Sequence, residues 1–525
     1  MVKVLITDPM SPRAAERFRQ NGVEVDEKVD LDKAGLARII ADYDGLVVRS
    51  ATKVTAKLLA KAERLKVIGR AGIGVDNIDV DAATEKGIVV MNTPFGNSIT
   101  TAEHTIAMML ALARSIPAAD ASTRQGKWEK SKFMGVEVSG KTLGLIGCGN
   151  IGSIVAEKAQ GLAMKVIGYD PYLALERAAD LGVRKVELGE LFAEADFISL
   201  HVPLTDSTRN IIDAAAIAKM KDGVRIINCA RGGLVNEGAL CKALEDGKVA
   251  GAALDVFSVE PATENPLFEA PNLVATPHLG AATTEAQVNV AIQVADQMSD
   301  FLLTGAVANA LNMPSVSAED APKLKPYMEL ARQLGSFAGQ MTETGLEEVI
   351  VEYEGHVCEV NVRPLTAVVL EGLLRPLMDT VNMVNAPVVA KQRNIDVSEV
   401  VHDRKGDFHT LIRLTVRTEK RRRTIAGTLF ANSAPRIVNI MGMEIEAELG
   451  GHMLFVANDD KPGFIGGLGT ILGDAGINIG TFNLGRDRES GLAIALISVD
   501  QELSAQVLKD VGALPHVRQV KALEF

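Results

Sequence analysis

A glycine-rich turn and three scattered polar side chains carry most of the chemistry that this sequence can offer. The apolar run Thr142-Leu-Gly-Leu-Ile leads into Gly147-Cys-Gly149-Asn-Ile-Gly152, and a helical pattern follows. In such a GxGxxG turn the first glycine permits a tight bend and the second lets the backbone approach a pyrophosphate. The third allows a helix to pack closely on its strand. The helix N-terminus then presents free N–H groups and a partial positive charge to the same anion. About twenty residues onward, Lys165-Val-Ile-Gly-Tyr-Asp170 ends a second strand in a carboxylate suited to an adenosine ribose. Its charge would repel a 2′-phosphate. Strand, turn, helix and distant acid together predict an NAD site, against the plainer reading of a structural glycine turn.

Arg231, Glu260 and His278 each fall just beyond a strand-like run, where open α/β sheets place their ligands. Removing a hydride from a secondary alcohol needs a base for the hydroxyl proton, a task that suits imidazole. A neighbouring carboxylate fixes the tautomer of such a base. An arginine holds a substrate carboxylate in bidentate fashion. Each residue alone has an ordinary reading as well: Glu260 precedes Pro261 and could cap a turn, and Arg231 could bind a carboxylate locally. Spacing does not bring the three together.

The elements that must position these groups read as an α/β series. Val2–Thr7, Gly45–Arg49, Leu65–Arg70 and Ile88–Asn92 are strand-like and separated by helical patterns, which implies a parallel sheet. A buried helix is expected over Thr100–Arg114. A second series follows at Thr142–Gly147, Lys165–Asp170, Asp196–His201, Arg225–Asn228, Gly251–Asp255 and Leu273–Ala275, the rhythm of a Rossmann-type doubly wound sheet. The periodicity of Val288–Leu303 suggests a helix returning to the first unit. The expected division is therefore 1–98 with 288–312 for one domain and 99–287 for the nucleotide domain. Asn312–Pro322, with two prolines, reads as a boundary. Residues 315–447 form a third, α+β unit with strands at Glu347–Tyr353, Thr410–Thr418 and Arg423–Leu429. The basic run Arg417–Arg423 spans a hairpin turn, either simply solvated or able to hold an anion. Residues 450–525 read as β-α-β-β-α-β, a ferredoxin-like unit.

With 525 residues, the chain exceeds a single core and fits three or four domains. A net charge of −12 argues against nucleic acid as a partner. Four scattered cysteines with no CxxC pair offer no metal cage and fit a reducing compartment. No signal peptide and no membrane-length apolar run is evident, so a cytoplasmic location is expected.

From Gly69-Arg-Ala-Gly-Ile-Gly-Val-Asp to His278-Leu-Gly-Ala281, the chain resembles the D-isomer-specific 2-hydroxyacid dehydrogenases. The motifs are the glycine turn, Cys229-Ala-Arg-Gly-Gly, Leu254-Asp-Val-Phe-Ser-Val-Glu-Pro261 and Thr276-Pro-His-Leu-Gly. The resemblance implies that Arg231, Glu260 and His278 act together in the roles just described. It also implies that Gly147, Gly149, Asn150, Ile151, Gly152, Asp170, Val202, Cys229, Asp255 and Gly280 line the NAD site, with Asp255 near the nicotinamide. The first domain is then flavodoxin-like. Arg49, Ser50, Arg70 and Asn97 resemble the substrate-binding stretches of members that act on a phosphorylated 2-hydroxy acid; the plain alternative makes both arginines surface residues. The stretch with Trp128, Lys130 and Lys132 approaches a neighbouring subunit in the family, and a homotetramer is implied. Members acting on glycerate or lactate, and a non-catalytic NAD-sensing protein, stand as alternatives.

Met453-Leu-Phe-Val-Ala-Asn458-Asp-Asp460-Lys-Pro-Gly463, with Asn478 beyond, resembles an ACT regulatory domain. That implies a small amino-acid effector, L-serine, held by Asn458, Asp460 and Asn478, or a dimerisation module with no ligand. Residues 315–447 resemble the additional allosteric domain of the longer family members.

Overall fold

The computed structural model describes residues 2–316, 320–402 and 408–525, so part of the expected boundary at Asn312–Pro322 lies outside the described residues. Four sheets organise the chain. In the first, strands run in the order Glu24–Glu27, Lys3–Ile6, Gly45–Val48, Val67–Arg70, Val89–Asn92, all parallel. Gly45–Val48 and Val89–Asn92 are buried at every position, as parallel strands covered on both faces must be.

The second sheet has seven parallel strands. Their order is Leu273–Ala275, Val249–Leu254, Val224–Asn228, Phe197–Leu200, Thr142–Ile146, Lys165–Tyr169, Arg184–Lys185. The chain enters at Thr142–Ile146 and winds outward in both directions, so a topological switch point lies beside that strand, where open sheets bind ligands. Helix Ser98–Ala113 packs on this sheet and on helix Asn150–Gly161.

Helix Thr284–Thr304 then returns to the first sheet. Val290, Val294 and Met298 share a core with Val4, Val47, Val67 and Val89. The approach is close enough that a Cβ on Gly69 would strike Met298 and Val294. The helix begins four residues before the apolar periodicity does, at 284 and not 288, because the Thr283 hydroxyl caps it by accepting the Ala286 N–H at 3.2 Å.

Beyond 320 the architecture changes. Strands Leu346–Gly355 and Asp396–His402 pair in parallel, while Thr410–Thr418, Arg422–Phe430, Ala434–Ile440 and Met443–Ala447 extend the sheet antiparallel. Helices Ala321–Gln340 and Arg363–Leu374 cross so closely that a Cβ at Gly335, Gly339 or Gly372 would meet partner backbone. The last sheet, ordered Ile479–Asp487, Leu492–Val499, His452–Asp459, Val517–Glu524, is antiparallel. Helices Phe464–Asp474 and Ala505–Gly512 cover one face, completing the ferredoxin-like unit. Among the described residues, no helix is long and apolar enough to cross a membrane.

Candidate active site

The glycine turn has the shape its sequence requires. Gly147 sits at φ 96°, and a Cβ there would press on the His201 carbonyl and Val202. Gly152 lies against the Gly147 carbonyl, so a side chain would push the helix off its strand. At Gly149 a Cβ would meet nothing within 4 Å. Open space beside backbone at a helix N-terminus fits a pyrophosphate, so the residues present suit NAD. Asn150 and Ile151 begin that helix. Asp170 joins the two halves of the site: its carboxylate accepts the Cys148 N–H at 2.9 Å and the Tyr172 N–H at 2.9 Å. Beneath the turn, burial pulls His201 down to about 4, so it is a neutral ring, hydrogen-bonded to Ser199 at 2.9 Å. Burial pushes Cys148 and Cys229 up to about 12, which leaves them as packing groups and not nucleophiles.

His278 and Glu260 meet. The imidazole Nδ1 lies 2.7 Å from the Glu260 Oε2, and Glu260 Oε1 accepts the Phe257 N–H at 3.0 Å. The ring is about half exposed, so its Nε2 edge is free to face a ligand. His278 adopts φ 56°, a left-handed conformation uncommon outside glycine. Asp255 holds it there. The backbone carbonyl of Asp255 accepts the His278 N–H at 2.9 Å, and its carboxylate accepts Leu279 N–H at 2.7 Å and Gly280 N–H at 2.8 Å. The Thr276 hydroxyl adds 2.6 Å and His104 lies at 3.2 Å. Burial alone would raise the pKa of Asp255; these donors outweigh it and hold the carboxyl below its usual range. Asp255 therefore positions the His278 loop with both oxygens already engaged.

Arg231 follows strand Val224–Asn228, and Asn228 fixes its loop by donating to the Arg231 carbonyl at 2.9 Å. The next residue, Gly232, abuts the Phe257 carbonyl too closely for any side chain, which joins this loop to the one that carries Glu260. The Arg231 guanidinium crosses the cleft to Asp76 at 3.2 Å, at the end of the first sheet. On that side, Arg70 is the last residue of its strand. Burial first, then the like charges of Arg231 and Arg49, pull it down to about 10, and its Nε has no hydrogen-bond partner. Arg49 is also desolvated. Its loop is built on the buried Asp8, whose carboxylate accepts the N–H groups of Arg49 at 2.6 Å and Thr52 at 3.1 Å. Asn97 is buried with an unpartnered Oδ1, while Ser50 is exposed on the Arg49 loop.

The predicted groups thus divide. The dinucleotide turn, the His278–Glu260 pair and the three arginines gather at the carboxyl ends of two sheets. Asp8, Asp76 and His104 support them and were not singled out in the sequence; the available signals were an acid immediately after a strand at Asp8 and the place of Asp76 at the end of the Gly69–Asp76 motif. Asn458, Asp460 and Asn478 in the last domain are not linked to one another. Asp460 pairs with Arg486 at 2.7 Å and Asn478 donates to Asp500 at 2.9 Å. Asn458 is buried, with its Oδ1 unpartnered. Among the described residues, no cluster of His, Cys, Asp or Glu could hold a metal ion.

Three family models match the chain. They are the D-isomer specific 2-hydroxyacid dehydrogenase NAD binding domain over 106–280, the D-3-phosphoglycerate dehydrogenase intervening domain over 323–441, and the ACT domain over 452–516. D-3-phosphoglycerate dehydrogenase of Bacillus subtilis is 41% identical over 526 residues, covering 100% of each chain. The enzyme of that name from Methanocaldococcus jannaschii is 43% identical, again over 100% of both. Among solved structures, D-lactate dehydrogenase from Aquifex aeolicus, complexed with NAD and lactic acid, aligns at TM-score 0.53 and 29% identity. It covers 60% of this chain and 100% of that one.

Proposed function

The chain belongs to the D-isomer-specific 2-hydroxyacid dehydrogenases, in the D-3-phosphoglycerate dehydrogenase branch that carries an ACT domain, and from that premise we propose that it oxidises D-3-phosphoglycerate to 3-phosphohydroxypyruvate, the first step of L-serine biosynthesis. As a family member it is an NAD-dependent oxidoreductase. The observation that carries the choice of substrate is the crowding of Arg49, Arg70 and Arg231 around one cleft, with Arg70 desolvated against two like charges. Arg49 and Arg231 within electrostatic reach of Arg70 call for a ligand with more than one anionic group, here a phosphate and a carboxylate.

In this reading Arg231 holds the carboxylate, and Arg49 and Arg70 take the phosphate with Ser50 and Asn97. Glu260 keeps the imidazole proton on Nδ1, so Nε2 of His278 is free to accept the C2 hydroxyl proton. The chemistry NAD would supply there is acceptance of the hydride from C2, which would leave the 2-oxo acid. Gly147, Gly149, Asn150, Ile151 and Gly152 would hold its pyrophosphate and Asp170 its ribose. Val202, Cys229, Asp255 and Gly280 would line the rest of the site. The division of labour we propose gives substrate to 1–98 with 288–312 and NAD to 99–287. Regulation then falls to 315–447 and 450–525, in a cytoplasmic homotetramer. Trp128, 86% exposed, and Met134, 85% exposed, support a subunit contact beside Lys130 and Lys132.

L-serine is the proposed effector of the last domain, through Asn458, Asp460 and Asn478. Calorimetry should register serine binding that is lost in Asn478→Ala; no heat at millimolar serine removes this part. The substrate assignment is tested by NADH formation with D-3-phosphoglycerate and with D-glycerate. We expect kcat/KM to favour the phosphorylated acid by about 100-fold or more; equal values would return the chain to a glycerate- or lactate-type member. Absence of turnover with every 2-hydroxy acid would favour an NAD-sensing protein.

A further inference from the structure

Helix Ser98–Ala113 presents Thr101, His104 and Met108 on one face, at spacings of three and four residues, to the loop that carries His278. The Thr101 hydroxyl is shared between the Gly280 and Asn97 carbonyls at 2.9 and 3.0 Å, and the Met108 sulfur lies 3.7 Å from the Thr276 hydroxyl. Between them, His104 Nε2 lies 3.2 Å from Asp255 Oδ1 and 3.3 Å from the Thr276 oxygen. Thr276 gives its one hydrogen to the same Oδ1 at 2.6 Å. Both neighbours of Nε2 therefore act as acceptors, and that nitrogen carries the hydrogen.

If packing were all that this position required, a leucine would serve. The environment of Asp255 asks for more. Its carboxylate is fully buried, and burial opposes its charge; of the groups that restore the charge, His104 acts most strongly, ahead of Thr276 and the Leu279 N–H. The same carboxylate accepts the N–H groups of Leu279 and Gly280, the two residues that follow His278. Thus His104 meets the His278 loop through Asp255 and Thr276, and the helix it stands on begins at Asn97, on the substrate side of the cleft.

We propose that His104 is a positioning residue for the oxidation: its Nε2–H completes the donor set of Asp255 and so fixes the loop that aims His278 at the C2 hydroxyl. The inference rests on His278 being the base. His104 is given no contact with the substrate's carboxylate or phosphate, so its loss should slow the chemical step and spare ground-state binding. Glutamine sets an amide N–H about where the imidazole Nε2 stands, whereas the shorter asparagine falls short of Asp255 and leucine offers no donor.

The test compares His104→Gln, His104→Asn and His104→Leu in the full-length protein, with His278→Gln alongside and a melting curve for each. Hydrogen exchange at residues 278–280 reads the loop without ligand, and single-turnover NADH formation from D-3-phosphoglycerate reads the chemical step. His104→Leu and His104→Asn should each speed exchange and slow NADH formation about tenfold, with substrate KM and NAD affinity within about threefold. His104→Gln should match the unsubstituted protein on every measure. Unchanged exchange and turnover in His104→Leu, or losses in His104→Gln as large as those in His104→Leu, would overturn the proposal. Should His104→Leu fail to fold, the glutamine and asparagine variants decide the matter alone, and equal behaviour of those two overturns it. Full turnover in His278→Gln would remove the base assignment and this proposal with it. An inactive His278→Gln beside an unimpaired His104→Leu would remove the role of His104 alone.

Discussion

The two halves of the molecule treat their polar side chains in different ways. In the half built on parallel sheets, buried aspartates shape the loops at strand ends, and the groups that face the cleft keep unmet hydrogen-bonding capacity. Asp255 holds the His278 loop and Asp8 the Arg49 loop, while Arg70 Nε and Asn97 Oδ1 have no partner. In the half beyond residue 320, the polar groups flanking the sheets include cross-strand pairs, Arg417 with Glu348, Asp460 with Arg486 and Asn478 with Asp500, with Asn458 Oδ1 and Glu371 Oε2 left without a hydrogen-bond partner. A catalytic cleft gains from groups fixed before the ligand arrives. A sensing module gains from contacts that a ligand must exchange, since only differential binding shifts a population.

That contrast predicts unequal costs for similar substitutions. Asp255→Asn should have the largest effect, with a stability loss of roughly 3 kcal/mol and a fall in kcat of about 100-fold, because it disturbs the donors that set His278. Chemical denaturation with parallel kinetics checks both. The folded carboxyl lies below its unfolded value, so its stabilisation is complete above about pH 4 and is lost as pH falls through the lower folded value. The acid limb of the stability curve should therefore flatten in Asp255→Asn.

Next in size, Arg49→Gln should raise KM for D-3-phosphoglycerate by about 10- to 100-fold and leave D-glycerate nearly unchanged. An equal effect on both substrates would remove Arg49 from the phosphate site. Smaller, and opposite in sign for stability, is Arg70→Met. The folded pKa of Arg70 lies near 10, below its usual value, so the charged form is disfavoured at every pH below that. Thermal melts of the ligand-free protein at pH 7 should show Arg70→Met more stable by about 1 kcal/mol, with substrate affinity lost. The smallest effect belongs to the other half: Glu348→Gln should cost less than about 1 kcal/mol and leave kcat unchanged. A larger loss there would erase the contrast.

Much of this was legible before any fold was seen. Arg231, Glu260 and His278 fall at strand ends, and parallel strands announce themselves as apolar runs. Edge strands did not. Glu24–Glu27 has one buried residue in four, and Asp396–His402 alternates without a fully buried position. Arg184–Lys185 is too short to carry a pattern. The supporting acids were hidden for a different reason. Asp8 and Asp76 matter through partners brought near by folding, 41 residues away for Asp8 and Arg49 and 155 for Asp76 and Arg231. The residues proposed for the effector show the same limit, because Asp460–Arg486 and Asn478–Asp500 bridge 26 and 22 residues. Periodicity reports local burial, and these bonds are not local.

The central claim is that His278, oriented by Glu260, removes the hydroxyl proton as hydride leaves C2. The most direct test is kcat/KM for NADH formation from D-3-phosphoglycerate by His278→Gln, with NAD binding measured alongside. A fall of about 1,000-fold with unchanged NAD affinity is predicted. Turnover within a few-fold of the unsubstituted protein would contradict it.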